Sequence, residues 1–366
     1  MKLGYRPALD GLRAVAISAV VLYHAGGFVP GGYRGVDLFF VLSGFLITTL
    51  LLGERADRGS VSLRNFYRRR ALRLLPALFL LLAIFIAVSM IFAVLEDRAL
   101  QRDLFGVAAG IGYFANIAMT GEPMTRPMPE ELRHLWSLAA EEQFYLLWPP
   151  ILLLVLRGRT RLALVVVAAG VALTTLRQLE LYTDGASWQR IGFGVDTRSV
   201  SILVGCLLAL AITLPRWPRL GRARWLEPVA IGCLLAFLFL DLGRELFAGP
   251  LLVFAICCAV LIVGALDDRS PLAGLLSLGA VVFLGRISYS LYLWHLPVFV
   301  AFGINEQQAE LMAVPAVLVA VVCAVASYYL IELPFLRKKR RPSHRGGIRE
   351  TAHADRDRVR LAEGAT

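Results

Sequence analysis

The chain has 366 residues, 58% of them hydrophobic and 18% charged, against about 45–50% and 25% in soluble globular domains. That balance excludes an ordinary soluble protein and predicts an all-α integral membrane protein, because the apolar runs approach the ~20 residues that a helix needs to cross hydrocarbon. The formal charge of +11 does not imply nucleic acid, since Lys and Arg fall in short loops between apolar runs and in the last stretch of the chain, the distribution of cytoplasmic loops.

In chain order the apolar runs predict spans near 10–28, 35–53, 74–95, 134–156, 161–180, 198–214, 227–242, 247–265, 280–302 and 311–335, a bundle of about ten transmembrane helices. The first is read as a retained span, because Arg13 and His24 interrupt it and no small-residue cleavage site follows. A further stretch at 104–119, broken by Gly106, Gly110, Gly112 and Asn116, decides the topology. If it does not cross, the basic clusters Arg64 to Arg73, Arg157 to Arg161, Arg216 to Arg224 and Arg337 to Arg341 all share the cytoplasmic side with the N-terminus. If it crosses, the last three move outside. Charge therefore favours ten spans in the cell membrane with both termini cytoplasmic and an external loop at 96–133. Residues 1–341 form the transmembrane domain, and 342–366, nearly devoid of large apolar side chains, a disordered cytoplasmic tail. Cys206, Cys233, Cys257, Cys258 and Cys323 sit inside apolar runs, so neither a disulfide framework nor a metal site is expected.

Three ionisable groups interrupt the first hairpin, each costing roughly 2.5–3.5 kcal/mol at a bilayer centre, so they require a reason. Arg13 and His24 are eleven positions apart, which returns to within about 20° of the starting direction on a helix while separating them by roughly 16 Å. They share a face but not a depth. Asp37, one turn into the second span, is set by the hairpin at the depth of His24, so the two read either as a general base with its orienting carboxylate or as a structural polar pair. Ser43 and Gly44 read as a small-residue packing notch in preference to a nucleophile, no Gly-x-Ser-x-Gly elbow surrounding them.

Arg70 and Arg73, three apart in the basic loop before the third span, share a helix face, with Pro76 placed near the helix start. They read either as a topology determinant or as a phosphate grip, the planar Arg fork suiting phosphate. His134 and Glu141 are nearly aligned on one face, and Glu141 and Glu142, entering lipid together, are expected to face the bundle interior. Ser288, Tyr292 and His295 form a polar stripe down one helix that either lines a cavity or cross-links helices. Glu332 is a candidate partner for a cytoplasmic arginine.

Taken in order, Arg13-x10-His24, GVDLFFVLSGFLI at 35–47, Arg70-x-x-Arg73, WSLAAEEQFYLLWP at 136–149 and SYSLYLWH at 288–295 resemble the integral-membrane acyltransferase family 3 from Tyr5 to about Arg337. The resemblance implies an O-acyltransferase of about ten spans with no permanently bound cofactor. It moves an acyl group, typically acetyl, from cytoplasmic acyl-CoA to a hydroxyl of a surface polysaccharide, lipid-linked glycan or glycosylated small molecule. By resemblance Arg13 and His24 match the essential first-span motif, and Arg70 and Arg73 the cytoplasmic arginine motif. CoA phosphates are then expected at Arg13, Arg70 and Arg73, with the thioester beside His24 as base and Asp37 behind it. Ser43, His134, Glu141, Glu142, Tyr292 and His295 are candidate substrate-channel residues. Some relatives add a soluble hydrolase-like domain; this sequence shows none, so a second transfer step is expected to be absent or to belong to a separate protein. Asp196-Thr197-Arg198 matches a further family pattern, although the acid often found two places later is Val200. The competing class is a secondary transporter or flippase, which the lack of a duplicated half disfavours.

Overall fold

The computed structural model describes residues 4–96, 99–121, 128–156, 160–214, 225–304 and 312–340; the tail lies outside the described residues. Among the described residues every regular element is helical. Helix α1 (Pro7–His24) and α2 (Gly35–Arg58) form a hairpin closed by a short 3-10 turn at Gly32–Arg34. They are followed by α3 (Leu63–Glu96), the short α4 (Gln101–Ile111) and α5 (Ala115–Ala118), then α6 (Leu135–Val155) and α7 (Thr160–Thr183). Next come α8 (Trp188–Phe193), α9 (Val195–Ile212), α10 (Glu227–Phe239) and α11 (Pro250–Leu266). The chain continues with α12 (Pro271–Leu276), α13 (Gly279–Arg286), α14 (Ser288–Ala301) and α15 (Ala313–Ser327). A π-helical turn at Tyr328–Glu332 runs on into α16 (Leu333–Arg340).

The hairpin is the centre of the bundle. Helix α1 packs against α2, α11, α12, α13 and α14, and α2 against α9, α11 and α6. Where α2 meets α9 the backbones touch: a side chain on Gly44 would strike the carbonyl of Ile202, and one on Gly205 the carbonyl of Val41. Such close approach replaces the hydrophobic drive that is missing between helices in lipid. The outer helices carry the complementary surface, with Val94 and Leu95 of α3, Leu173 and Leu176 of α7 and Val322 of α15 all exposed. In water such a surface would aggregate; in a bilayer it is the solvated face.

Among the described residues six helical segments are long and apolar enough to cross a membrane: 32–58, 63–96, 130–155, 160–183, 188–212 and 313–337. The predicted ten is not reproduced on length and apolarity alone, for local reasons. Helix α1 carries its own charges. The run at 280–302 breaks at Ile287 into α13 and α14, and α10, 13 residues long, rises only about 20 Å. The 104–119 stretch is not one helix: α4, 11 residues, rises roughly 16 Å, about half the hydrocarbon thickness, and ends before Tyr113, which has a positive φ of 52°. Pro76 is a second correction. Helix α3 begins at Leu63, so the basic segment is its first turns and Pro76 lies in its interior.

Candidate active site

Two cavities are built around the hairpin. The first, about 140 Å³, is lined by Arg13, Arg70, Arg73, Glu141, Tyr145 and Ser288 among others. The second, about 600 Å³, is lined by His24, Arg133, His134, Trp136, Arg198 and their neighbours. Among the described residues only Val36 and Tyr292 line both. The separation of Arg13 from His24 along one helix thus becomes a separation into two chambers with a common wall.

Around the first cavity, Arg13 donates from Nε and Nη2 to the Ser288 hydroxyl at 3.2 and 3.0 Å and lies over the Phe39 ring. Arg70 is engaged differently. Its Nε donates to both carboxylate oxygens of Glu142 at 2.7 and 3.0 Å, its Nη2 also donates to Glu142, and its guanidinium stacks 3.1 Å above the Tyr145 ring. Glu141, 3.6 Å from Arg70, accepts from Tyr145 at 2.6 Å and from Ser43. Arg70 is therefore neutralised by carboxylates, whereas Arg73 makes no hydrogen bond or ion pair among the described residues. The two arginines expected to act alike differ: among the described residues the unpaired cation is Arg73, half-buried at the cavity wall. Gly44 fills the packing role expected of the Ser43–Gly44 pair, while Ser43 turns into the cavity and bonds Glu141.

At the second cavity, His24 Nδ1 lies 3.0 Å from the carbonyl of Val20. A carbonyl only accepts, so Nδ1 carries the proton and Nε2 keeps its lone pair. His295 is arranged likewise, Nδ1 donating to the carbonyl of Tyr292 at 2.7 Å, and its buried Nε2 has no partner among the described residues. The His24 and His295 rings are 5.1 Å apart, and His134 is 5.4 Å from His295. Three imidazoles from α1, α14 and the start of α6 thus meet at one place. Sequence reading singled out each but had no means of joining them. Among the described residues no group of three or more His, Cys, Asp or Glu is arranged to hold a metal ion.

The expected His24–Asp37 pair is not formed. Asp37, fully buried, accepts from Arg198 Nη2 at 2.9 Å and from the Ser201 hydroxyl at 2.9 Å. Arg198 stacks 5.2 Å from the Trp136 ring and lines the second cavity, so Asp37 reaches that cavity through an arginine and not through the histidine. The rotation of α2 turns Asp37 toward α9. Arg198 was visible only as part of a partial pattern; an arginine at the head of an apolar run was the available signal. Asp196, its neighbour in that pattern, pairs instead with Arg190 at the surface. Glu332, in the π-helical turn, accepts from Ser290 and not from an arginine.

The stripe on α14 connects the two chambers. Ser288 receives Arg13, His295 faces His24, and between them the Tyr292 hydroxyl donates to the carbonyl of His134 at 2.9 Å and lies 2.5 Å from Ser137 Oγ. It both lines a cavity and cross-links α14 to α6.

Compared with known proteins, residues 6–332 match the family model described as an acyltransferase domain. The chain is 35% identical over 90% of its length to YrhL of Bacillus subtilis, provisionally named a peptidoglycan O-acetyltransferase, and covers 55% of that protein. It is 30% identical over 92% of its length to the O-acetyltransferase OatA of Staphylococcus aureus, covering 58% of it. The chain thus spans a little over half the length of these relatives. No solved structure matches it. With the model covering nearly the whole helical bundle, hairpin and both cavities included, the chain belongs to the acyltransferase domain family.

Proposed function

We infer that this chain is a membrane O-acyltransferase that moves an acyl group, acetyl in the first instance, from acyl-CoA bound at the first cavity to a glycan hydroxyl entering the second, peptidoglycan being the acceptor class suggested by the relative named for it. The observation that carries this reading is the pair of chambers meeting at Val36 and Tyr292, with a free cation on one side and a free imidazole nitrogen on the other. Arg13 and Arg73 suit the phosphates of the donor, while Glu142 holds Arg70 as a brace for the wall. His24 Nε2 takes the proton of the acceptor hydroxyl, whose oxygen forms the new ester bond to the thioester carbon. As the C–S bond breaks, the leaving thiolate receives that proton from His24.

Ten crossings with both termini in the cytoplasm remain our reading of the topology, the short and broken helices α10, α13 and α14 crossing inside the bundle. It places the first cavity on the cytoplasmic side. On a cysteine-free background, Ser60→Cys should be protected from an impermeant external reagent and Asp184→Cys labelled; the reverse pattern overturns the orientation. The function is tested with the protein in nanodiscs, labelled acetyl-CoA and soluble peptidoglycan fragments. Label in the glycan is expected; accumulation of a glycan inside proteoliposomes without label transfer would support a transporter instead.

A further inference from the structure

Resting on the acyl-transfer reading, the geometry points to Tyr292 as the residue that sets the length of acyl group the protein transfers, by closing the inner end of the donor cavity. Three observations lead there. Among the described residues the two cavities share only Val36 and Tyr292, so these two side chains stand on both faces of the partition between donor and acceptor. The Tyr292 ring is not free to swing: its hydroxyl is held by the His134 carbonyl at 2.9 Å and Ser137 Oγ at 2.5 Å, and its ring meets Phe39 and His134 edge to face. Finally, the first cavity measures only about 140 Å³ against about 600 Å³ for the second, so space on the donor side of the partition is the more restricted. A thioester whose carbonyl reaches the partition sets its acyl group against this ring, so each carbon added to the chain must be fitted against a side chain that cannot swing away.

The acceptor's side of the same wall is polar and larger, so the hydroxyl approaches the carbonyl past Val36 and Tyr292 without the chambers merging. The bond changes are those of the transfer itself, and Tyr292 takes no proton in them. It is a specificity-determining residue and not a catalytic one. One methylene in a tight apolar pocket discriminates by roughly 10–200-fold, so truncating the ring should be readable as a change in chain-length preference.

The experiment is a competition in nanodiscs between acetyl-CoA and butyryl-CoA for one glycan acceptor, read by mass spectrometry of the product. Parent protein is expected to transfer acetyl in large excess. Tyr292→Ala should move the acetyl-to-butyryl ratio toward butyryl by at least about tenfold, and Tyr292→Phe, which keeps the ring, by less than about threefold. Val36→Ala, on the other half of the wall, should move the ratio in the same direction by a smaller factor and keeps the test available if Tyr292→Ala does not fold. An unchanged ratio in whichever of the two alanine variants elutes as a monodisperse species overturns the inference while leaving acyl transfer intact. Failure of the parent to transfer acetyl at all overturns the functional reading and this inference with it.

Discussion

The two chambers hold charge in opposite ways. Around the first, acids and bases are abundant and unequally matched: Arg70 is bound to Glu142 and stacked on Tyr145, while Arg73 is left without a partner and Arg13 has only a hydroxyl. Around the second, the buried ion pair of Arg198 with Asp37 is closed on itself, His24 and His295 present imidazole nitrogens with lone pairs, and the remaining charges, Glu130 and Arg133, are exposed. An anionic ligand is attracted to uncompensated guanidinium, whereas an imidazole accepts a proton only in its uncharged form. The difference teaches that one hairpin, with its arginine and histidine on one helix, can serve two chemistries because its neighbours differ at each depth.

The largest effect should come from the second chamber. Replacing His24 with Ala is expected to lower the rate of acetyl transfer by about 10²–10⁴-fold, the usual contribution of a general base, with acyl-CoA affinity within a few-fold of the parent. Loss of acyl-CoA binding in that variant would erase the division between chambers.

Next is the closed ion pair. Asp37→Ala strands Arg198 in the interior, and breaking a buried pair costs about 3–5 kcal/mol, so thermal unfolding in detergent should shift sharply downward. Asp37→Asn, which retains an acceptor for Arg198 or Ser201, should lose less. If Asp37 acted on His24 directly, the Asn variant would instead alter the pH dependence of transfer at unchanged stability.

In the first chamber Arg73 and Arg70 should separate. Arg73→Ala is expected to weaken acyl-CoA binding by roughly 10–100-fold, matching about 1.5–3 kcal/mol for a charge-assisted contact, and the parent's advantage should shrink as salt is raised. Arg70→Ala, by contrast, should change acyl-CoA affinity by less than about tenfold. It should reduce stability by leaving Glu142 without its cation. Equal affinity losses in the two variants, measured by titration in nanodiscs, would return Arg70 to the donor site.

Much of this protein was legible from local sequence. Helical membrane class follows from apolar runs, because hydropathy over a window is enough to choose lipid over water. That Arg13 and His24 share one helix, far enough apart to line different cavities, follows from the fixed rise and turn of an α-helix. The ordered motifs pointed to the family for the same reason, being contiguous stretches. What tertiary structure decided is which side chains meet. Asp37 found its partner 161 positions away and Arg70 its partner 72 positions away. His24, His134 and His295 converge from three helices, and Tyr292 stands between two cavities, through packing alone. Periodicity gives the direction of a side chain relative to its own helix; only the rotation of each helix against its neighbours, settled by contacts such as Gly44 on Ile202, determines what that side chain faces.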